Sequence, residues 1–219
     1  MEALILYLIL FLPGIHITPP WLAERIFDAQ TLPFSVKDIL WRFVTHTLPA
    51  ITLLLFLIIR KNFSSVKMTL LAARPGKQDL LPFAMGLPAL IIIGLFVSFL
   101  VSLSAEIYHP LRIEGPYNAL GWFVMILACL GTGYLEEIYF RYYLLSHTKN
   151  IIPQTAVRVI FSTLLFAVCH IHDGPWGMLN AAIAGLFLSA LFIRYRSLHG
   201  VALAHAGYNM FVYVVGVVA

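Results

Sequence analysis

The chain has 219 residues, of which 61% are hydrophobic and only 11% are charged. Soluble domains carry about 25% charged residues, so this composition excludes a water-soluble globular protein and indicates a polytopic membrane protein. The net charge of +4 reflects 14 basic and 10 acidic residues. No basic run with interleaved aromatic residues accompanies this excess, so we expect no nucleic-acid partner.

Apolar segments follow one another along the whole chain. They lie at about 3–20, 43–60, 80–105, 118–146, 154–171, 176–194 and 198–218. Their lengths suit helices that cross a hydrocarbon core of ~30 Å, which takes ~20 residues each. No alternating strand pattern competes with them. We therefore predict an all-α fold, a polytopic transmembrane helical bundle of about seven (six to eight) spans, forming a single integral membrane domain over residues 1–219.

The charges of the loops predict how the bundle is oriented. Segment 60–78 is the strongest basic loop, with cations that include Arg60, Lys61 and Arg74 and no acid. If this loop is cytoplasmic, the N-terminus is cytoplasmic as well, and loops 21–42 and 106–117 lie outside. The segment is also expected to contain a short interfacial helix.

Two adjacent acids, Glu136 and Glu137, lie inside the fourth apolar segment. A charged carboxylate at the centre of a membrane helix costs at least ~2.5 kcal/mol, so the pair needs a partner or a function. Arg141 follows Glu137 by four residues, which places both on one helix face within reach of an ion pair. Glu136 is rotated by about 100° from Glu137 and needs something else: another helix, a cavity or a proton. Desolvation would make it a competent general base, whereas the alternative is that both acids lie at the interface.

Histidines in two later apolar segments add to this pattern. His170 closes the sequence Phe166–His170 at the end of the fifth apolar segment, and His205 and Asn209 lie four residues apart in the last segment. A lone histidine in an apolar helix is more often a hydrogen-bonded core residue than a catalyst, but two such segments favour a functional site. An imidazole and a carboxamide one turn apart are donors suited to a developing oxyanion. Two histidines and a glutamate could also bind Zn²⁺, although no His-Glu-x-x-His spacing is present.

Three spacings, taken in order, resemble the signature of the CPBP (Abi) intramembrane proteases, a family that includes the type 2 CAAX prenyl proteases. They are Glu136-Glu137-x-x-x-Arg141, Phe166-x-x-x-His170 and His205-x-x-x-Asn209. The resemblance covers about 118–218, which we expect to be the catalytic half of the chain.

The resemblance implies a glutamate-type intramembrane endopeptidase that needs no cofactor. Glu136 with His170 would activate a water molecule for attack on the scissile carbonyl. His205 and Asn209 would hold the oxyanion. Zn²⁺ remains the minor mechanistic alternative.

The resemblance also implies that the Glu137–Arg141 pair fixes its helix. Near the second motif, His172 and Asp173 could share or compete for the role of His170. The predicted topology places His170 at the outer end of its span and Glu136 toward the cytoplasmic side. The fifth helix must therefore begin outside the bilayer and end within it, or be tilted, so that the Gly174-Pro175 turn can line a cavity at membrane depth.

The expected substrate is a membrane-associated or lipidated peptide or protein, and CAAX-type processing is one form that this activity takes. The expected location is a cell membrane, where lipid is the surrounding partner, and the short chain fits a prokaryotic member. The oligomeric state does not follow from the sequence. The alternative is a non-catalytic membrane scaffold or a bacteriocin self-immunity protein of the same fold. A proton-coupled transporter ranks lower, because we see no inverted repeat.

Overall fold

The fold was analysed in a computed structural model, which describes residues 2–16, 31–32, 34–62, 75–104, 112–113 and 115–215. Within these ranges, seven helical stretches correspond to the seven predicted apolar segments, and the predicted all-α helical bundle is confirmed. The helices are α1 (Glu2–His16), α2 (Val36–Arg42), α3 (Leu48–Asn62), α4 (Lys77–Leu103), α5 (Ala119–Glu137), α6 (Thr155–Val168), α7 (Gly174–Tyr195) and α8 (Leu198–Val215).

Two of the stretches contain a π-helical section. Phe43–Thr47 joins α2 to α3, so this helical stretch begins seven residues before the predicted start at 43. Ile138–Leu144 continues α5 directly after the paired glutamates and is called the π segment below. Single π turns inside α-helices occur frequently at functional sites.

Four helical stretches in the described part of the chain are long and apolar enough to cross a membrane. They are Val36–Arg60, Lys77–Leu103, Ala119–Asn150 and Gly174–Tyr195. Outward-facing side chains such as Ile92, Phe96 and Leu103 are 66%, 52% and 67% exposed. Such apolar faces suit contact with lipid chains.

Helix α6 ends earlier than predicted, at Val168 instead of 171. Gly174 adopts a φ of 76°, a left-handed conformation that suits glycine, and Pro175 stands in the first turn of α7, where its missing N–H costs nothing. The 14 residues of α6 rise about 21 Å, which is less than a hydrocarbon core of ~30 Å. This length is compatible with the predicted end of α6 within the membrane, which stays a prediction.

Contacts between connecting segments agree with the predicted alternation of sides. Thr31–Leu32 and Arg112–Ile113, from the two loops expected outside, form a short parallel strand pair. Two residues per strand are too few to give an alternating sequence pattern. On the other side, the Ser197 hydroxyl donates a hydrogen bond to Asp79 at the start of α4. Which side is cytoplasmic stays a prediction, and the interfacial helix expected within 60–78 falls mainly on residues 63–74, outside the described residues.

Helix α8 packs against α4 and α5, and α7 packs against α6 and α4. Helix α1, which precedes the expected catalytic half (about 118–218), packs against the π segment. Tyr139 donates a hydrogen bond to the carbonyl oxygen of Ala3 at 2.6 Å. The ring of Phe11 lies 4.9 Å from that of Phe140 between ring centres. The N-terminal helix therefore supports the turn that follows the paired glutamates.

Candidate active site

Glu137 and Arg141 form the ion pair that their spacing predicts. Arg141 Nη1 lies 2.9 Å from Glu137 Oε1, and neither side chain is exposed. The guanidinium also donates to the carbonyl oxygen of Gly185 on α7 at 3.3 Å. Its carbon lies 4.5 Å from the centre of the Phe166 ring. A buried ion pair persists only with such additional contacts, so α6 and α7 together hold this arginine in place.

His205 lies between the two glutamates. Its Nδ1 is 2.8 Å from Glu137 Oε1, and its Nε2 is 3.5 Å from Glu136 Oε2. As helical geometry predicts, Glu136 takes a partner other than Arg141, and that partner comes from another helix. Sequence reasoning missed that Glu137 contacts the same histidine, because the i to i+4 argument considers only neighbours on one helix.

The glutamates reach His205 because α5 and α8 approach each other at backbone distance. A Cβ atom on Gly133 would lie 2.9 Å from the backbone nitrogen of Ala206 and 3.0 Å from the carbonyl oxygen of Ala202. A side chain larger than hydrogen at this position would therefore force the helices apart.

His170 lies in the turn between α6 and α7. Its Nδ1 is 2.8 Å from the carbonyl oxygen of Phe166. Since a carbonyl oxygen only accepts, this contact assigns the proton to Nδ1 and makes Nε2 the basic nitrogen of the neutral ring. The Phe166 ring lies 4.8 Å from the His170 ring and 5.8 Å from the His205 ring, measured between centres. Phe166 therefore connects the two histidines, while a water bridge from Glu136 to His170 stays a prediction.

Asn209 lies one turn after His205 on α8 and is half-buried. Its side-chain amide makes no hydrogen bond to another described residue. Of the two residues suggested as competitors for His170, Asp173 donates its backbone N–H to the His170 carbonyl oxygen at 3.0 Å and precedes α7. The side chain of His172 lies outside what the structure describes.

A cavity of about 500 Å³ lies between α4, α5 and α8. Its lining is mostly apolar and includes Phe83, Leu130 and Met210, whereas Asp79 is a carboxylate at its edge. On α8 it is lined by the neighbours in sequence of His205 and Asn209. None of the predicted site residues is among those that line the cavity, and its apolar lining can hold an apolar ligand.

The geometry of the cluster bears on the zinc alternative. Among the described residues, no group of three or more His, Cys, Asp or Glu side chains is arranged to hold a metal ion. Glu137 is already bound to a guanidinium, and a cation at 2.9 Å opposes a second cation on the same carboxylate. With Glu137 engaged in this way, the cluster does not fit a zinc site.

Comparison with known proteins supports a functional reading of this cluster. Residues 118–211 match the family model described as "Rce1-like: Type II CAAX prenyl endopeptidase Rce1-like". The predicted family resemblance is confirmed. The matched segment includes every predicted site residue, from Glu136 to Asn209, and it supports a membrane peptide hydrolase of the CAAX-protease type. The chain matches no curated protein and no solved structure.

Phe166, which belongs to the second motif, and two glycines build the site without having been assigned a role in it. Phe166 provides the ring shared by both histidines, Gly133 provides the close helix contact, and Gly185 accepts from Arg141. The spacing of four between Phe166 and His170 already placed these two on one face. Nothing in the sequence paired Gly133 with α8 or Gly185 with Arg141.

Proposed function

We propose that this chain is a membrane-embedded endopeptidase in which Glu136 activates a water molecule to cleave a membrane-associated or lipidated peptide. One observation carries the proposal. Glu136 Oε2 is buried, has no hydrogen bond to the described residues, and lies 3.5 Å from His205 Nε2. A buried carboxylate oxygen without a donor is costly for folding alone, and at such a position it is suited to take a proton during a reaction.

The residues of the three motifs take part in successive steps of the reaction. Glu136, assisted by His170, accepts a proton from water, and the resulting hydroxide adds to the scissile carbonyl carbon. Asn209 donates a hydrogen bond to the oxyanion that forms, and Nε2–H of His205 donates a second one when the ring is protonated on both nitrogens. The carbon–nitrogen bond then breaks as the proton passes from Glu136 to the leaving amine. One water is consumed, and one carboxylate and one amine are produced.

The cavity between α4, α5 and α8 supports the proposed substrate class. Its apolar lining suits a lipid chain or an apolar peptide segment that enters from the membrane. We place the protein in a cell membrane with its N-terminus in the cytoplasm, as the loop charges predict. A substrate carrying a lipid near its cleavage site, including a CAAX-type peptide, meets these requirements.

The proposal is tested by comparing protein termini in host membranes that contain equal amounts of wild type or Glu136→Gln. We expect new termini with wild type that are missing with the variant. Persistence of these termini after treatment with a metal chelator would support a reaction without zinc. Identical termini in both membranes, with any host phenotype kept by the variant, would contradict proteolysis and favour the scaffold or self-immunity alternative.

A further inference from the structure

Glu137 contacts His205 as well as Arg141. Glu137 Oε1 is shared between Arg141 Nη1 at 2.9 Å and His205 Nδ1 at 2.8 Å. The carboxylate that receives a guanidinium is an acceptor only. The ring nitrogen that it contacts must therefore carry a hydrogen.

This assignment determines which nitrogen of His205 faces the reaction. With Nδ1–H bound to Glu137, Nε2 is directed toward Glu136 Oε2, 3.5 Å away. An imidazole turned by 180° about its Cβ–Cγ bond would place the carbon atoms Cδ2 and Cε1 where Nδ1 and Nε2 now lie, so Glu137 would lose its second donor and Glu136 its nitrogen contact. Glu137 thus selects the tautomer and the ring orientation together.

The support behind Glu137 is rigid. Glu137 and Arg141 are fully buried, and the guanidinium is held from α7 by the Gly185 carbonyl oxygen. The Phe166 ring packs edge-to-face against His205 with a centre separation of 5.8 Å. Residues from three other helical stretches therefore fix the histidine that Glu137 orients.

We infer that Glu137 is a positioning residue that acts through His205, beyond its ion pair with Arg141. It holds Nδ1–H and thereby directs Nε2 toward the proton at Glu136 and toward the developing oxyanion. When both nitrogens of His205 are protonated, the negative charge of Glu137 stabilises the ring. In this arrangement a carboxylate orients a catalytic imidazole through its Nδ1–H. The inference rests on the proposed function for its effect on the reaction, but the orientation of His205 can be measured separately.

The experiment compares wild type with Glu137→Asp and with the double variant Glu137→Met/Arg141→Met in lipid nanodiscs. Replacing both members of the buried ion pair leaves no unpaired buried charge, so the double variant keeps its fold while His205 loses its acceptor. Histidine ring nitrogens are labelled with ¹⁵N, and the His205 signals are identified by their loss in His205→Gln. Hydrolysis is followed with a farnesylated peptide that ends in cysteine and three further residues.

We expect a protonated Nδ1 on His205 in wild type and in Glu137→Asp, and a shift of the proton toward Nε2 in the double variant. The double variant should lose kcat by about 100-fold or more with a KM changed by less than about threefold, and Glu137→Asp should recover part of that loss. An unchanged tautomer in the double variant, or a kcat equal to that of wild type, would overturn the inference. If wild type fails to cleave the peptide, the proposed activity on this substrate class is contradicted, and the ¹⁵N signals still decide whether Glu137 orients His205.

Discussion

Gly133 on α5 faces the backbone of Ala206 on α8 so closely that a Cβ atom would lie 2.9 Å from its nitrogen. This contact brings the glutamate-bearing helix and the histidine-bearing helix together. The position of His205 between Glu136 and Glu137 therefore depends on the absence of a side chain at Gly133.

Gly133→Ala is expected to destabilise the protein and to reduce activity. The new methyl group meets backbone atoms, which cannot rotate away, so the cost should be about 1–3 kcal/mol. Gly207→Ala on α8 is the control for stability, since its Cβ would meet only the flexible end of Leu87 at 3.1 Å. Thermal unfolding in nanodiscs measures both, and equal melting temperatures for the two variants would contradict a backbone contact at Gly133.

Phe11 lies outside residues 118–211, which match the family model, yet Phe11→Ala is expected to weaken the active site. The Phe11 ring contacts Tyr139 and Phe140 at 5.1 Å and 4.9 Å between centres, and its loss would leave a cavity against the π segment. Truncation of a buried phenylalanine costs about 3–5 kcal/mol. Ile9→Ala on the same helix removes a side chain that is 51% exposed and should cost much less. Unfolding and peptide hydrolysis should change together for Phe11→Ala, and wild-type values for both would show that α1 does not support the site.

Asn209→Ala is expected to reduce kcat while leaving stability intact. The Asn209 side chain makes no hydrogen bond to the described residues, so we expect its amide to be available to the oxyanion. Loss of one oxyanion donor lowers kcat by about 100- to 1000-fold.

The matched comparison for Asn209 is Asn180→Ala on α7. The Asn180 amide donates to the Tyr208 hydroxyl at 3.0 Å, so its removal should cost about 1 kcal/mol of stability. The two asparagines thus predict opposite readouts, kcat for one and melting temperature for the other. A loss of melting temperature in Asn209→Ala would mean that this side chain is structural.

Cys129→Phe is expected to narrow the cavity and raise KM for a lipidated peptide. Cys129 lines the cavity on α5, and a phenyl ring there would occupy part of the 500 Å³. A tenfold rise in KM corresponds to about 1.4 kcal/mol of lost binding. Leu120→Phe is the control on the same helix, since Leu120 is 60% exposed and lies away from the cavity. Equal KM values for both variants would show that the substrate does not bind in the cavity.

Some features of the site follow from local sequence. The i to i+4 spacing of Glu137 and Arg141 was enough to predict their ion pair, because neighbours on one helix face meet wherever the helix lies. The same rule showed that Glu136 required a partner from elsewhere. The end of α6 was predicted too late, because apolar residues continue past Val168 while the backbone already turns toward Gly174.

The sequence by itself determined that the chain forms a bundle of apolar helices, since backbone polar groups in a membrane must be satisfied within each segment. It also determined the order of the three motifs and the contacts within each helix. Only the tertiary structure decided that both glutamates meet one histidine, that Phe166 lies between His170 and His205, and that α1 supports the π segment. These contacts join residues far apart in the chain, and they depend on how closely helix backbones approach, which no periodicity within one segment encodes.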